Sequence, residues 1–275
     1  MPELPEVETT LRGVRPYLEG QRIERLIVRE PRLRLPIPEQ MPQQVAGQTI
    51  GPLSRRGKYL LIALERGTLL VHLGMSGSLR IVADGAPPKP HDHLELALVG
   101  GRALRYHDPR RFGIFIWEPD PAETLLTAHP LLRDLGPEPL DDAFSGDHLY
   151  TASRSRRGPV KSFVMDASVV VGVGNIYASE SLFLAGIHPA RASNRIGPER
   201  YRRLADIIRQ VLRASIEQGG TTLRDFVNES GNPGYFAQSL RVYGRTGEPC
   251  RVCGTLIRQQ RIGQRSSFFC SYCQH

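Results

Sequence analysis

The sequence predicts an α+β protein with an N-terminal β-sandwich domain behind a leading helix, a helical second domain, and a C-terminal β-hairpin closed around metal. Three observations predict it. Seven short extended runs, punctuated by Gly, Pro and Asp, fill residues 22–117, which is the rhythm of an antiparallel sandwich. Near residue 130 the apolar spacing changes to the helical period. All four cysteines fall in the last 26 residues, as Cys250-x2-Cys253-x16-Cys270-x2-Cys273.

In chain order, Leu4, Val7, Leu11, Val14 and Leu18 recur at helical spacing, and Pro2 and Pro5 sit at the first turn, where a missing N–H is tolerated. The extended runs follow at 22–29, 58–64, 68–73, 78–82, 94–99, 103–107 and 113–117. Leu135-Gly-Pro-Glu-Pro-Leu140 reads as a linker and the start of a helix. Helical patterns are expected over 161–166, 176–185 and 198–218; in the last, Tyr201, Leu204, Ile208, Val211 and Ser215 share one face. A Gly/Asn/Pro-rich loop over 219–234 leads to the cysteines. The expected boundaries are 1–131, 132–239 and 240–275.

Two CxxC pairs 16 residues apart suit one structural Zn²⁺, because each turn directs two thiolates at one metal and the interval is long enough for a hairpin. Disulfides are the competing use, but no secretory h-region opens the chain and no run reaches the length of a membrane span. A monomer in the cytoplasm, with reduced cysteines, is therefore expected. The net charge is +8 and the pI about 9.6. From position 241 onward there are six arginines against Glu248 alone, so the finger remains basic even with a doubly negative metal centre. A basic zinc finger closing a basic chain points to nucleic acid as the partner. Of the 36 basic residues only Lys58, Lys89 and Lys161 are lysines, which makes them candidates for a need for a primary amine.

Chemistry is suggested at the amino end. Removal of Met1 would leave Pro2 with a secondary amine. An α-amino group has a pKa near 7.7–8.0, so about 10–20 % is neutral at pH 7. Such an amine attacking a sugar C1′ opens the ring to an iminium, an electron sink for elimination. Glu3 could pass protons beside it. Pro2, Glu3, Glu6 and Glu8 could equally serve only to start a helix and complement its dipole. Gly172-Val-Gly174 fails as a dinucleotide fingerprint, because Tyr177 stands where the third glycine belongs. It reads instead as a turn into a helix whose N-terminus, near Asn175, holds a phosphate.

Met1-Pro-Glu-Leu-Pro-Glu-Val-Glu-Thr9 resembles the opening of the bacterial formamidopyrimidine-DNA glycosylase family. Further matches are Arg56-Gly-Lys-Tyr-Leu60, His72-Leu-Gly-Met-Ser-Gly77, His91-Asp-His93, Asp108-Pro-Arg-Arg-Phe-Gly113, Val171-Gly-Val-Gly-Asn-Ile-Tyr-Ala-Ser-Glu180, Gly219-Gly-Thr-Thr222, Pro233-Gly-Tyr-Phe236 and the cysteine hairpin. The resemblance runs nearly end to end.

It implies a helix–two-turn–helix second domain and a bifunctional glycosylase and apurinic/apyrimidinic lyase acting on damaged double-stranded DNA. Oxidised purines such as 8-oxoguanine and formamidopyrimidines are the implied lesions, with strand nicking by β,δ-elimination. Pro2 matches the nucleophile, Glu3 the proton donor, Lys58 the lysine that assists β-elimination, and Arg265 the phosphate-holding arginine of the finger. Met75, Arg110 and Phe112 match residues that fill the void left by an extruded nucleotide, with Arg110 facing the orphaned cytosine. His72, His91, Arg156 and Asn175 match DNA contacts, and Lys161 a lesion-proximal lysine. One rival is an endonuclease VIII-type relative for oxidised pyrimidines, whose Pro-Glu-Gly-Pro-Glu opening differs from the leucine at position 4 here. The other is a non-catalytic zinc-ribbon DNA-binding protein, which leaves Glu3, Lys58 and Arg265 unexplained.

Overall fold

A computed structural model describes residues 2–220 and 239–275. They form two compact units: one runs to Arg133 and includes Gly219 and Gly220, and the other holds Asp134–Gln218 and the chain from Ser239 onward. The cysteine hairpin clusters with the helices, where the sequence suggested a separate segment. Beyond Gly220, the expected glycine-rich loop and the Pro233–Phe236 motif lie outside the described residues.

The first unit opens with α1 (Leu4–Leu18), followed by β1 (Ile23–Val28), α2 (Met41–Val45), β2 (Ile50–Arg56), β3 (Tyr59–Leu64), β4 (Thr68–His72), β5 (Ser78–Ala83), β6 (Asp92–Leu98), β7 (Arg102–His107), β8 (Ile114–Glu118) and α3 (Ala122–Ala128). Two four-stranded antiparallel sheets result, ordered β1-β6-β7-β5 and β2-β3-β4-β8. One core joins them, with residues such as Leu60, Ile62 and Val71 from one sheet and Leu94, Leu96 and Leu104 from the other. The expected α1 face is buried throughout: Leu4, Val7, Leu11, Val14 and Leu18 are each at most 2 % exposed. Each such side chain contributes about 1.5–3 kcal/mol of apolar burial, which fixes the helix, and hence its N-terminus, on the sandwich.

The second unit contains α4 (Gly146–Ser153), α5 (Val160–Val164), α6 (Asn175–Leu184) and α7 (Pro198–Glu217), then β9 (Arg258–Ile262) and β10 (Arg265–Phe269). The helix start expected near 135–140 lies further along. That segment is coil, anchored by Gly136 N–H to Ala167 O at 2.8 Å, and α4 begins behind Ser145, whose hydroxyl accepts the His148 N–H at 3.1 Å. Val242, Ile257, Phe268 and two of the cysteines pack on Phe183 of α6. The buried Glu180 carboxylate of α6 accepts the N–H groups of Arg241, Val242 and Tyr243 at 2.8–3.0 Å, fixing the chain where it enters the finger.

Candidate active site and nucleic-acid interface

In the first unit, Pro2 and Glu3 are both buried at the head of α1. Glu3 is the N-cap, and its N–H donates to the Glu6 carboxylate at 2.9 Å in a capping box. Glu6 is itself packed against Gly220, where an added Cβ would lie 3.2 Å from Glu6 Oε1. Gly220 has φ +83, so it suits this close approach twice over.

Lys58 sits at the two-residue tip of the β2–β3 hairpin, after Gly57 with φ +57. No motif in the sequence marks what holds that tip. Arg55 pairs with Glu8 of α1 at 2.9 Å and donates to the Gly57 carbonyl at 3.1 Å, so one guanidinium braces the lysine turn against α1. Burial raises the Glu8 carboxyl, but hydrogen bonds from Arg55 and Arg12 outweigh it and keep Glu8 below its ordinary pKa.

His72 lies beside this turn, its ring 4.8 Å from that of Tyr59. Burial, reinforced by the charges of Lys58 and Arg34, holds it at about 4. Its Nδ1 accepts the Gly74 N–H at 3.0 Å, so the neutral ring carries its proton on Nε2. The imidazole is thus a hydrogen-bond donor with no charge, set among cations. Arg34 belongs to this group, and its place there is equally unmarked by motif.

Met75, Arg110 and Phe112, matched to the void, come together on two stacked turns. An added Cβ at Gly74 would fall 2.6 Å from the Phe112 carbonyl carbon and the Gly113 nitrogen, so the backbones of the two turns touch. Met75 is half-buried, while Arg110 and Phe112 are exposed, with the guanidinium 4.9 Å from the ring centre in a cation–π contact. Behind them the buried Asp108 carboxylate accepts from Ser76 Oγ at 2.8 Å and the Gly113 N–H at 2.9 Å. His91, exposed and at φ +70, gives its carbonyl to the Asp108 N–H at 3.1 Å.

In the second unit, Arg265 is exposed at the start of β10, beside the Gly263-Gln264 tip. Lys161 is elsewhere than an open DNA surface: it is 1 % exposed, and its ammonium donates to the Ser266 carbonyl and Ser267 hydroxyl. Asn175 opens α6, and its buried Oδ1 has no partner among the described residues. Arg156 is exposed and pairs with Asp166 at 3.1 Å. Its neighbour Arg154 is occupied structurally, stacked on Tyr150 at 4.0 Å and bonded to the carbonyls of Asn194 and Ile196.

The four cysteines are free thiols whose Sγ atoms all lie within 4.8 Å of one another, with pairs at 3.5 and 3.9 Å. A zinc tetrathiolate with Zn–S near 2.3 Å has S–S edges of about 3.8 Å, so the set fits one Zn²⁺. With four protein ligands no position is left for chemistry, and the metal is structural.

A helix-led β-sandwich with a buried carboxylate at its N-cap, and a basic helical unit closed by a four-thiolate finger, define a DNA-processing enzyme. Known proteins agree along the whole chain. The Formamidopyrimidine-DNA glycosylase N-terminal domain matches residues 1–115, the Formamidopyrimidine-DNA glycosylase H2TH domain 135–227, and the zinc finger found in FPG and IleRS 247–275. Formamidopyrimidine-DNA glycosylases of Methylococcus capsulatus and Pseudomonas aeruginosa are each 58 % identical over 274 residues, covering 100 % of both chains. The crystal structure of MutM from Thermus thermophilus superposes with a TM-score of 0.88 at 39 % identity, covering 99 % of this chain and 98 % of its own. A Lactococcus lactis complex with abasic-site DNA gives 0.91 at 33 %, covering 99 % of both chains. The chain belongs to the formamidopyrimidine-DNA glycosylase family, whose members are DNA glycosylases with lyase activity. No helix among the described residues is long and apolar enough to cross a membrane.

Proposed function

We propose that the chain excises oxidised purines, 8-oxoguanine and formamidopyrimidines, from duplex DNA and then nicks the strand. After loss of Met1, the Pro2 nitrogen bonds to C1′ as the glycosidic bond breaks and the damaged base leaves with a proton. Glu3, held at the N-cap beside Pro2, moves protons at the base and the opening sugar. The resulting iminium acidifies C2′, so loss of that proton expels the 3′ phosphate, and a second elimination expels the 5′ phosphate. Lys58 assists the first elimination and Arg265 the second, each while holding phosphate. The observation that carries this reading is the joint burial of Pro2 and Glu3 at the capped start of a helix that the sandwich core fixes in place.

Access to C1′ requires the nucleotide to leave the stack, at a cost of a few kcal/mol. Met75, Arg110 and Phe112 fill the gap, with Arg110 facing the orphaned cytosine. His72 donates a neutral hydrogen bond to phosphate, while His91, Arg156 and Asn175 position the duplex. Lys161 influences the lesion through β10 rather than by contact. The zinc acts only by folding the hairpin that carries Arg265. The enzyme works as a monomer in the cytoplasm, on the nucleoid.

Arg265→Ala and Glu3→Gln separate binding from chemistry. Losing a phosphate contact lowers the salt slope of binding by about 0.9, so Arg265→Ala should bind lesion duplex more weakly, with a shallower slope, and cleave it slowly. Glu3→Gln removes a proton donor and one negative charge, so it should bind at least as well as the parent while losing base release. Loss of affinity by Glu3→Gln as severe as that of Arg265→Ala, with normal excision once bound, would overturn the assignment.

A further inference from the structure

Asp108 is fully buried in the first unit, and nothing in the chemistry above uses it. Its carboxylate is met by neutral donors from both sides. Oδ1 accepts from Ser76 Oγ at 2.8 Å and from the Arg110 N–H at 3.3 Å. Oδ2 accepts from the Gly113 N–H at 2.9 Å and from Tyr106 Oη at 3.3 Å. Its backbone is held as well: His93 Nε2 lies 2.7 Å from its carbonyl, and its N–H donates to the His91 carbonyl at 3.1 Å. Burial first, and then the carboxylate itself, push the Tyr106 hydroxyl well above its ordinary pKa, so it stays a donor.

These partners flank the residues assigned to the void. Ser76 follows Met75 directly, and Gly113 follows Phe112 directly, while Arg110 is held by its own N–H. Burying a carboxylate costs several kcal/mol unless each oxygen is satisfied, and here each oxygen accepts two hydrogen bonds, all from the segments that flank the two turns. A fixed spacing between the two turns is what that arrangement supplies.

We propose that Asp108 is a positioning residue that sets the spacing of the Met75 turn and the Arg110–Phe112 turn, so that the three side chains enter the helix as one wedge. The proposal rests on the void-filling reading of those three residues. Asparagine at position 108 has the same shape but must turn an NH₂ toward either the Arg110 or the Gly113 N–H. Neither backbone N–H can rotate away: an NH₂ toward Gly113 breaks that bond outright, and one toward Arg110 leaves its N–H only the 3.3 Å contact to Ser76 Oγ, so in either case the knot loosens. Ser76→Ala removes the Ser76 hydroxyl, which donates to Asp108 at 2.8 Å and accepts the Arg110 N–H at 3.3 Å, and leaves the carboxylate in place.

The test compares Asp108→Asn, Ser76→Ala and Phe112→Ala on two substrates: a duplex with one 8-oxoguanine:cytosine pair, and a single-stranded oligonucleotide with one abasic site. The second has no partner strand and no void to fill. Wedge insertion is read directly by 2-aminopurine fluorescence next to the lesion. A broken buried hydrogen bond is worth about 1–3 kcal/mol, so Asp108→Asn and Ser76→Ala should each slow duplex excision by about tenfold or more. Both should blunt the fluorescence rise. Single-stranded cleavage should stay within about twofold of the parent. Equal losses on both substrates would show that Asp108 serves folding alone, and unchanged duplex excision in both variants would also overturn the proposal. If Phe112→Ala keeps the full fluorescence rise and full duplex excision, the void-filling reading itself fails, whatever Asp108 does.

Discussion

Lys161 Nζ lies 2.7 Å from Ser267 Oγ, so a buried ammonium on α5 grips the strand that begins with Arg265. A second bond, 2.9 Å to the Ser266 carbonyl, fixes the backbone of the residue next to that arginine. The lysine matched to a lesion-proximal position thus holds the two residues that follow Arg265.

Lys161→Met should therefore impair Arg265 without removing it. Loss of the two bonds costs about 1–3 kcal/mol locally. The expected product pattern shifts from double to single elimination, with base release affected less. Lys161→Arg should fail in the same direction, because a larger planar guanidinium at a 1 % exposed position must displace its neighbours to reach the same two acceptors. Gel analysis of strand ends after a single turnover checks this; equal loss of base release and of both eliminations would contradict it.

Metal and hairpin should stand or fall together. A tetrathiolate site in so small a module supplies much of its folding free energy. Chelation, or Cys250→Ser, should disorder β9 and β10 and cost DNA affinity while the sandwich of the first unit stays folded. Circular dichroism with a salt-dependent binding series would test it. Full DNA binding by a verified zinc-free protein would contradict it.

His72 should remain neutral through the working range. Its folded value of about 4 lies below the ordinary 6.5, so on acidification the unfolded chain takes up a proton before the folded chain does. Its contribution to stability is complete above about pH 6.5 and is lost progressively as pH falls from there toward 4. The His72 Cε1 proton should show a flat chemical shift from pH 8 to about 5.5. A midpoint near 6.5 would mean that the ring is neither buried nor surrounded by cations as described.

Much of this was legible in the sequence, and the exceptions have physical causes. Helix α1 and seven strands follow from apolar spacing that the structure buries as expected. β2 escaped because only Ile50 and Leu53 face inward, three apart, across a register shift at Gly51-Pro52 where the two-residue alternation breaks. α2 is five residues long, too short to show a period. The cysteines, Pro2, Glu3, Lys58 and Arg265 were marked by residue type and motif. Glu8 meets Arg55 across 47 residues and Asp108 meets Ser76 across 32, and spacing along a sequence does not encode such contacts. Lys161 drew notice as a rare lysine, but only the structure shows what its amine holds.

The central claim is that the Pro2 nitrogen is the nucleophile, and borohydride trapping tests it most directly. An iminium between enzyme and sugar can be reduced to a stable amine. Processed protein incubated with an 8-oxoguanine:cytosine duplex and borohydride should yield a covalent adduct whose peptide map places the DNA on Pro2. Protein retaining Met1, or carrying Pro2→Gly, should give little or none. An undiminished adduct in those proteins, mapping to Lys58, would contradict the account.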